Sequence, residues 1–266
     1  MNSIHPTAVI DKAAQLGDNI AVAPYVVIEA DVVVEDDCYI GAHCVIKRYT
    51  RLGQRNRIAE HAIIGGEPQD VSFRPCESQV WIGDDNCLRE GVTIHRATKA
   101  GGVTRIGNGN YLMAYAHIAH DCTLGNQVTF ANGATLAGHV HVGDRAFLSG
   151  YVMVHQFCRI GKYAMVFALS AVGQDCLPFI ISAGNPTHAR SLNIVGLRRG
   201  GFDREQIRAL KHAYTVLLRS GESLQKALQR LQDSESSLVQ ELLAFAQSSQ
   251  RGFAHHREMP DRTGAA

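Results

Sequence analysis

The sequence predicts a mainly β fold, a parallel β-helix of hexapeptide repeats over residues 1–185, followed by a C-terminal α-helical domain over residues 186–266. The first observation is a six-residue period. At every sixth position from Ile4 to Val172, 25 of 29 residues are Ile, Leu or Val, and Phe130 adds one more apolar match. A period of six fits neither one helix nor one strand, whose periods are about 3.6 and 2. It indicates short strands joined by corners, as in hexapeptide solenoids.

The second observation is a column of small residues beside the aliphatic one. With the aliphatic slot as position 1, position 5 is mostly small or β-branched. Because these positions are two apart on a strand, their side chains face the same way and predict a narrow interior, with corners at positions 3 and 4. Three sides make a coil of about 18 residues, and about nine coils give a rod roughly 40 Å long. Five cysteines at position 5 are predicted to be small buried residues: Cys38, Cys44, Cys122, Cys158 and Cys176.

Two interruptions of the period predict loops. The residues that fail the aliphatic rule are Asp70, Cys76 and Ala100. They indicate loops near residues 65–80 and 96–105 that project from the rod. Loops that interrupt a solenoid often carry its binding surface.

The third observation is a helical pattern after the repeat ends. The segment SAGNPTHARS, residues 182–191, has the Gly and Pro of a linker. Asp203 can cap a helix that Gly221 ends, and two shorter amphipathic stretches follow within residues 222–249. We expect a flexible tail from His255 onward.

Composition narrows the functional classes. A formal net charge of +1 argues against a nucleic-acid binder that depends on bulk positive charge. No run of about 18 apolar residues could span a bilayer, and the N-terminus has no signal-peptide pattern, so we expect a cytoplasmic protein without stable membrane insertion. Seven cysteines without a CxxC pair fit a reducing compartment.

Nine of the 13 histidines lie in the repeat, and none is at position 1 or 5, which predicts that they lie on outer faces or corners. Residues 18 apart lie above one another on adjacent coils, so His120, Gly138 and Gln156 form one column. His139 and His155 flank this column, and His117 opens onto the adjacent face. Four histidines on one edge predict a functional site.

Three kinds of chemistry are open to this edge. A metal site needs three or four ligands at about 2 Å, which the histidines could supply across a subunit boundary, as in γ-class carbonic anhydrase-like β-helices. Nucleophilic catalysis needs an exposed Ser or Cys, whereas Cys122 is at an inward position. Direct acyl transfer needs a neutral base, a supporting carboxylate and an oxyanion donor. His120, Asp121 and the amide of Gly138 fit this third kind best.

Seven motifs carry a resemblance to a known family. They are QD at 69–70, VTIHR at 92–96, HIAHDC at 117–122, NGATLAGHV at 132–140, VHQFCRIG at 154–161, GNP at 184–186 and NIVGLRRGGF from Asn193. The chain resembles the acyl-carrier-protein-dependent UDP-N-acetylglucosamine O-acyltransferases, which open lipid A synthesis. The resemblance implies a left-handed β-helix and a homotrimer with active sites between subunits. It also implies no metal and no cofactor, because the donor carries phosphopantetheine on acyl carrier protein.

The resemblance also implies roles for individual residues. His120 is the expected general base for the glucosamine 3-hydroxyl, Asp121 supports it, and the Gly138 amide stabilises the oxyanion. Ala168 matches the hydrocarbon ruler, the position at which side-chain bulk limits the length of the accepted acyl chain. The other expected substrate-binding residues are Gln69, Asp70, His95, His117, His139, His155 and Gln156, with Asn193 and Arg199 at the phosphopantetheine or nucleotide end. The expected docking residues for the acidic carrier are Arg198, Arg204 and Arg208.

Three departures from the family pattern bear on substrate contacts. Ser72 stands where a lysine is usual, with Arg74 as a possible substitute, and Val195 stands where a glutamate is frequent. The changes at Ser72 and Val195 leave open how the chain contacts the nucleotide. Phe167 and Leu169 add bulk around the ruler position, where long-chain members are glycine-rich, which predicts a preference for shorter 3-hydroxyacyl chains.

Other functions compete with this interpretation. The related N-acyltransferase of the same pathway carries an extra N-terminal domain, whereas here the repeat begins at Ile4. The sequence leaves open whether the acceptor sugar carries oxygen or nitrogen at its 3-position. A catalytically weak paralogue that serves as a binding scaffold is a further alternative, because of Ser72 and Val195.

Overall fold

A computed structural model describes residues 1–255 and confirms the predicted left-handed parallel β-helix with helices after it. Within these residues, three sheets of 11, 9 and 8 strands form the faces of a triangular prism. The first sheet contains Ser3–Ile4, Ala21–Val22, Tyr39–Ile40, Arg57–Ile58, Cys87–Leu88, Tyr111–Leu112, Thr129–Phe130, Phe147–Leu148, Met165–Val166, Ile180–Ala183 and His188–Leu192. The second contains Val9–Ile10, Val27–Ile28, Val45–Ile46, Ile63–Gly66, Thr93–His95, His117–Ile118, Thr135–Leu136, Met153–Val154 and Ala171–Val172. The third contains Gln15–Leu16, Val33–Val34, Thr50–Leu52, Gln79–Ile82, Val103–Ile106, Thr123–Leu124, His141–Val142 and Arg159–Ile160.

The coil of 18 residues is confirmed by the strand register. Ser3 pairs with Ala21, and Ala21 pairs with Tyr39, in parallel ladders. Positions 1 and 5 form one continuous core along the prism, and the five cysteines predicted at position 5 are buried with free thiols. Ile4 is 44% exposed because no coil lies below it.

Left-handed residues turn the chain at the corners. Most residues at position 4 of the regular coils have φ near +60°, as in Asn19 (φ 57°), Asp121 (φ 60°) and Leu169 (φ 59°). This conformation costs non-glycine residues roughly 1 kcal/mol or more. The hydrogen bonds to the coils above and below hold each corner in place, so a corner side chain has a defined direction.

Both predicted loops are present, and each lengthens its coil by a multiple of six residues. Arg57 pairs with Cys87, thirty residues on, so the first loop adds twelve residues to the coil. Cys87 pairs with Tyr111, twenty-four residues on, so the second loop adds six. The aliphatic period therefore keeps its phase through both loops, and only the looped-out positions lose it.

The linker predicted over residues 182–191 is wrong. Ile180–Ala183 and His188–Leu192 pair as an antiparallel hairpin, and the first of these strands pairs with Met165–Val166 in the first sheet. Buried Ile180 and Ser182 alternate with less buried neighbours, which is the pattern of a strand. The predicted domain boundary at residue 185 falls in the turn of this hairpin.

Four helices follow within the part of the chain that the structure describes, one more than predicted. α1 spans Ile194–Arg199, α2 spans Arg204–Arg219, α3 spans Leu224–Leu231 and α4 spans Ser237–Gln247. Asp203 caps α2 as predicted, with Gln206 completing a capping box. Among residues 1–255, no helix is long and apolar enough to cross a membrane. The tail predicted to be flexible spans residues 255–266, of which 256–266 lie outside the described residues.

A ladder of buried asparagines runs through the prism where the sequence predicted small apolar residues. Asn56, Asn86 and Asn110 stack at position 5 of successive coils, each at most 1% exposed. Asn86 donates to Asn56 Oδ1 through its backbone N–H and its amide, both at 3.0 Å. Asn110 donates to Asn86 Oδ1 in the same way at 2.9 Å. The ladder supplies the hydrogen bonds that buried amides require.

We expect Asn86→Ala to lower the free energy of unfolding by about 1–3 kcal/mol, because the buried donors of Asn110 lose their acceptor. Urea denaturation measures this loss. The exposed Asn132→Ala is the control and should change stability by less than about 0.5 kcal/mol. Equal effects of the two substitutions would contradict a stabilising ladder.

Candidate active site

His120 and Asp121 lie at the corner between the second and third sheets, immediately after His117–Ile118. His120 and His95 lie outside the hydrophobic core of the prism, as predicted, but both are buried. His120 is 7% and His95 is 8% exposed. Residues of both loops lie against this edge: Gln69 lines a cavity with His120, and Thr98 bonds to Asp121.

A cavity of about 680 Å³ opens at this corner and along the second sheet. The predicted column is confirmed at backbone level, because His139 N donates to His120 O and Phe157 N donates to Gly138 O. Six of the predicted site residues line the cavity: Gln69, His117, His120, Gly138, His155 and Gln156.

The sequence-based prediction missed other lining residues. Thr135, Met153 and Ala171 continue the outward column of His117 at intervals of 18 residues. The same arithmetic that found Gly138 could have found them. Asn185 and Pro186 reach the cavity from the hairpin turn, and only their GNP motif signalled them.

The His120–Asp121 pair has the geometry of a supported base. Nδ1 of His120 lies 2.9 Å from Oδ2 of Asp121. In the neutral imidazole, assigned from this contact, Nδ1–H donates to the carboxylate and Nε2 keeps its lone pair. The carboxylate is held in turn by Thr98, and the Asp121 N–H donates to Thr104 Oγ1 at 2.8 Å.

Gly138 leaves room for the imidazole. A Cβ added at this position would lie 2.3 Å from Cε1 and 2.7 Å from Nε2 of His120. No side chain fits there unless the ring moves. The backbone of the upper coil therefore lies directly against the ring of the predicted base.

Two further histidines, the buried His95 and the half-buried His117, form a polar layer beside His120. Thr93 Oγ1 and His117 Nδ1 are 2.7 Å apart, and the rings of His117 and His95 meet edge to face with centroids 4.9 Å apart. Burial lowers the pKa of His95 to about 4, with smaller contributions from the charges of His117 and His120. The pKa of His117 is also lowered, mainly by burial. Both rings are therefore neutral at pH 7.

His139 lies on the carboxylate side of the pair and does not line the cavity. Its ring stacks on Phe157 at 4.6 Å, and its Nε2 is 3.6 Å from Asp121 Oδ2. Ligand atoms of His120, Asp121 and His139 lie within 4.8 Å of one another, which would suit a metal ion. However, Oδ2 of Asp121 already accepts hydrogen bonds from Thr98 and His120. These contacts favour a hydrogen-bonded His120–Asp121 pair over a metal centre.

The first loop brings Asp70 near the site but outside the cavity lining. The backbone N–H and hydroxyl of Ser72 donate to Asp70 and lower the pKa of its carboxyl, with smaller effects from His120 and His139. Arg74 donates to the carbonyls of Ser72 and Phe73. Neither Ser72 nor Arg74 supplies a cation to the cavity.

Asn193 and Arg199 are not at the His120 cavity. They line a second cavity of about 650 Å³ on the first sheet, together with Val195 and Phe167. The Asn193 amide caps α1 by accepting from Gly196 N, and it donates to Tyr163 O at 2.8 Å. Both the oxygen and the nitrogen of the Asn193 side chain therefore form hydrogen bonds within the protein.

The remaining predicted residues are exposed. Ala168 lies at the corner between the first and second sheets, between Phe167 and Leu169, which are 46% and 75% exposed. Arg198 is in the last turn of α1, and Arg204 and Arg208 are in the first turns of α2. These three arginines have no ion pair with another residue among 1–255.

Comparisons with known proteins agree with the fold and the motifs. The profile of the bacterial transferase hexapeptide matches residues 13–48 and 104–138, and that of domain 2 of UDP N-acetylglucosamine O-acyltransferase matches residues 175–254. These matches define a hexapeptide-repeat acyltransferase.

Individual relatives cover nearly the whole chain. The acyl-[acyl-carrier-protein]–UDP-N-acetylglucosamine O-acyltransferase of Halorhodospira halophila is 48% identical, over 95% of this chain and 99% of its own. That of Syntrophobacter fumaroxidans is 43% identical, over 94% and 98%. The crystal structure of a UDP-N-acetylglucosamine acyltransferase from Bacteroides fragilis superimposes with a TM-score of 0.93 at 38% identity, covering 95% of this chain and 100% of that one. The chain belongs to the family of acyl-[acyl-carrier-protein]–UDP-N-acetylglucosamine O-acyltransferases.

The lowered pKa of His95 predicts a loss of stability in acid. The unfolded chain takes up a proton near pH 6.5, whereas the folded chain resists it until about pH 4. The contribution of the neutral His95 ring to the free energy of unfolding is therefore complete above pH 6.5, and it is lost as the pH falls towards 4. We expect the melting temperature of His95→Gln to fall less steeply over this range than that of the wild type.

Thermal melts at several pH values test this expectation. The matched control is His5→Gln, because His5 is exposed and far from the site. A pH dependence of His95→Gln as steep as that of the wild type would contradict the role given to His95.

Proposed function

We propose that this chain transfers a 3-hydroxyacyl group from acyl carrier protein to the glucosamine 3-hydroxyl of UDP-N-acetylglucosamine, the first step of lipid A biosynthesis, in the cytoplasm. The observation that carries the proposal is the His120–Asp121 pair, whose ring packs against the Gly138 backbone at the edge of a cavity. The names of the relatives supply the substrates.

The geometry suits a direct transfer. The 3-hydroxyl oxygen attacks the thioester carbon while Nε2 of His120 takes the hydroxyl proton. The oxyanion of the tetrahedral intermediate accepts a hydrogen bond from the Gly138 N–H, which has no acceptor among the described residues. The intermediate then expels the phosphopantetheine sulfur, which leaves with the proton held by His120.

An acyl-enzyme intermediate on cysteine is disfavoured. Cys122 is the cysteine nearest in sequence to His120, but it points into the prism and its thiol donates to Ala137 O at 3.2 Å. Burial raises the pKa of its thiol to about 12. A buried thiol of this kind is not a nucleophile at pH 7.

The two cavities of one chain open on different faces of the prism, which favours a shared site in an oligomer. The His120 cavity lies along the second sheet, whereas the cavity with Asn193 and Arg199 lies on the first. A head-to-tail ring brings the first face of one copy against the second face of the next. The family resemblance implies three copies without metal or cofactor, and we propose that Arg199 of one copy completes the site of its neighbour in such a homotrimer.

We expect His120→Ala to lower kcat roughly 10²- to 10⁴-fold, because the acceptor hydroxyl loses its base. The assay combines UDP-N-acetylglucosamine with 3-hydroxyacyl carrier protein. The matched control is His43→Ala, since His43 is an exposed corner histidine that stacks between Tyr25 and His61. It should be fully active and should melt like the wild type.

Two results would contradict the proposal. Stoichiometric zinc whose removal abolishes activity would favour the carbonic anhydrase-like alternative. A wild-type protein that binds the sugar nucleotide without turnover would favour the binding scaffold.

The ruler position predicts a limit on acyl-chain length. Phe167 and Leu169 flank Ala168 with bulk, and Phe167 lines the second cavity. We expect turnover to be best with 3-hydroxyacyl chains shorter than the longest that the family uses. We also expect Ala168→Gly to shift the optimum to longer chains.

A series of acyl carrier donors of increasing length measures this optimum. Ala42→Gly is the matched control, because Ala42 is at position 3 of the same corner, much lower in the rod. Best turnover of the wild type with the longest donor would overturn the ruler assignment.

Carrier docking is proposed at Arg198, Arg204 and Arg208, whose exposed guanidinium groups would meet an acidic partner. Arg204 and Arg208 are one helical turn apart and share a face of α2. We expect Arg204→Glu to raise KM for the acyl carrier several-fold at low salt and less at high salt, with KM for the sugar nucleotide unchanged.

The control for this charge reversal is Lys12→Glu, an exposed cation at the opposite end of the rod. Steady-state kinetics at two ionic strengths compare the variants. An equal change in both variants would show that net charge, and not this face of α2, governs the carrier.

A further inference from the structure

The second loop contacts the carboxylate of Asp121, the partner of His120. Thr98 lies in this loop and donates to Asp121 twice: its hydroxyl is 2.8 Å and its backbone N–H is 3.1 Å from Oδ2. The same oxygen accepts from Nδ1 of His120 at 2.9 Å. Donors from the loop and from the base therefore converge on one carboxylate oxygen.

Asp121 is held at its backbone as well. Its N–H donates to the hydroxyl of Thr104, which is buried in the strand that follows the second loop. Its φ of 60° belongs to the left-handed corner. The backbone is thus fixed, and the remaining freedom is rotation of the carboxylate, which the hydrogen bonds of Thr98 restrict.

Thr98 is itself supported by the first loop. The thiol of Cys76 donates to Thr98 O at 3.5 Å, and Gly101 N donates to Glu77 O at 2.9 Å. Thr98 is half-buried and does not line the His120 cavity. It can therefore act on Asp121 without touching the substrate.

We propose that Thr98 is a positioning residue for acyl transfer. Its hydroxyl fixes the Asp121 carboxylate, and the carboxylate fixes the tautomer and the orientation of His120. Hydrogen-bond partners behind metal-ligating histidines are typically worth 10- to 100-fold in activity, and we expect an effect of the same order behind a histidine base. The inference rests on the proposed function, since it presumes that His120 is the base.

The key variant is Thr98→Val, which removes the hydroxyl and keeps the shape and the backbone N–H. We expect kcat to fall about 10-fold while KM for both substrates stays unchanged. Thr98→Ser restores the hydroxyl and should restore most of kcat. Thr123→Val is the matched control on the outer face of the third sheet, and it should behave like the wild type.

A double-mutant cycle separates positioning from a loss of structure. In the Asp121→Ala background the Thr98 hydroxyl has no carboxylate to hold, so adding Thr98→Val should lower kcat no further. Thermal melts of the four proteins accompany the kinetics.

Three outcomes would overturn the proposal while the wild type is active: full kcat in Thr98→Val, a raised KM with kcat unchanged, or additive losses in the double mutant. A wild type without acyl transfer would instead refute the proposed function. Loss of kcat at constant KM, rescue by serine and no further loss in the double mutant would together establish Thr98 as a positioning residue.

Discussion

Parallel stacking of eighteen-residue coils determines both the interior and the outer faces of this protein. Each corner and strand pairs with its equivalent one coil away, so residues eighteen apart in sequence lie in contact. A side chain inside the prism must be small or aliphatic, or must form its own ladder, as Asn56, Asn86 and Asn110 do. Outside the prism, the same stacking brings the Gly138 backbone against the ring of His120. Stacking at eighteen-residue intervals therefore positions both the core side chains and the residues of the candidate site.

The proposed catalytic residues lie where regular stacking meets the two insertions. His120 is buried, and Thr98 of the second loop donates to the carboxylate of Asp121. The insertions of twelve and six residues disturb neither the coil below nor the coil above. The rod is thus a rigid support, and the loops and the corner supply the polar contacts that catalysis requires.

The six-residue period sufficed to predict the coils, the inward columns, both loops and the column from His120 to Gln156. It failed where a residue departs from the repeat. Gly184 and Pro186 signal a turn, but the two strands beside it pair outside the eighteen-residue register, so the period alone predicts a linker here. The six-residue period does not predict that His95 and His120 are buried, because both occupy outward positions of the repeat. It does not predict the contact of Thr98 with Asp121 either, since loop residues follow no register.

We propose that one acceptor hydroxyl meets His120 beneath Gly138 in a site shared between copies of the chain. A crystal structure of the protein with UDP-N-acetylglucosamine would locate this hydroxyl. We expect the glucosamine 3-hydroxyl within about 3 Å of His120 Nε2, with Arg199 of a neighbouring copy near the phosphopantetheine or nucleotide end. A metal ion between His120 and His139, or a sugar nucleotide bound away from this corner, would contradict it.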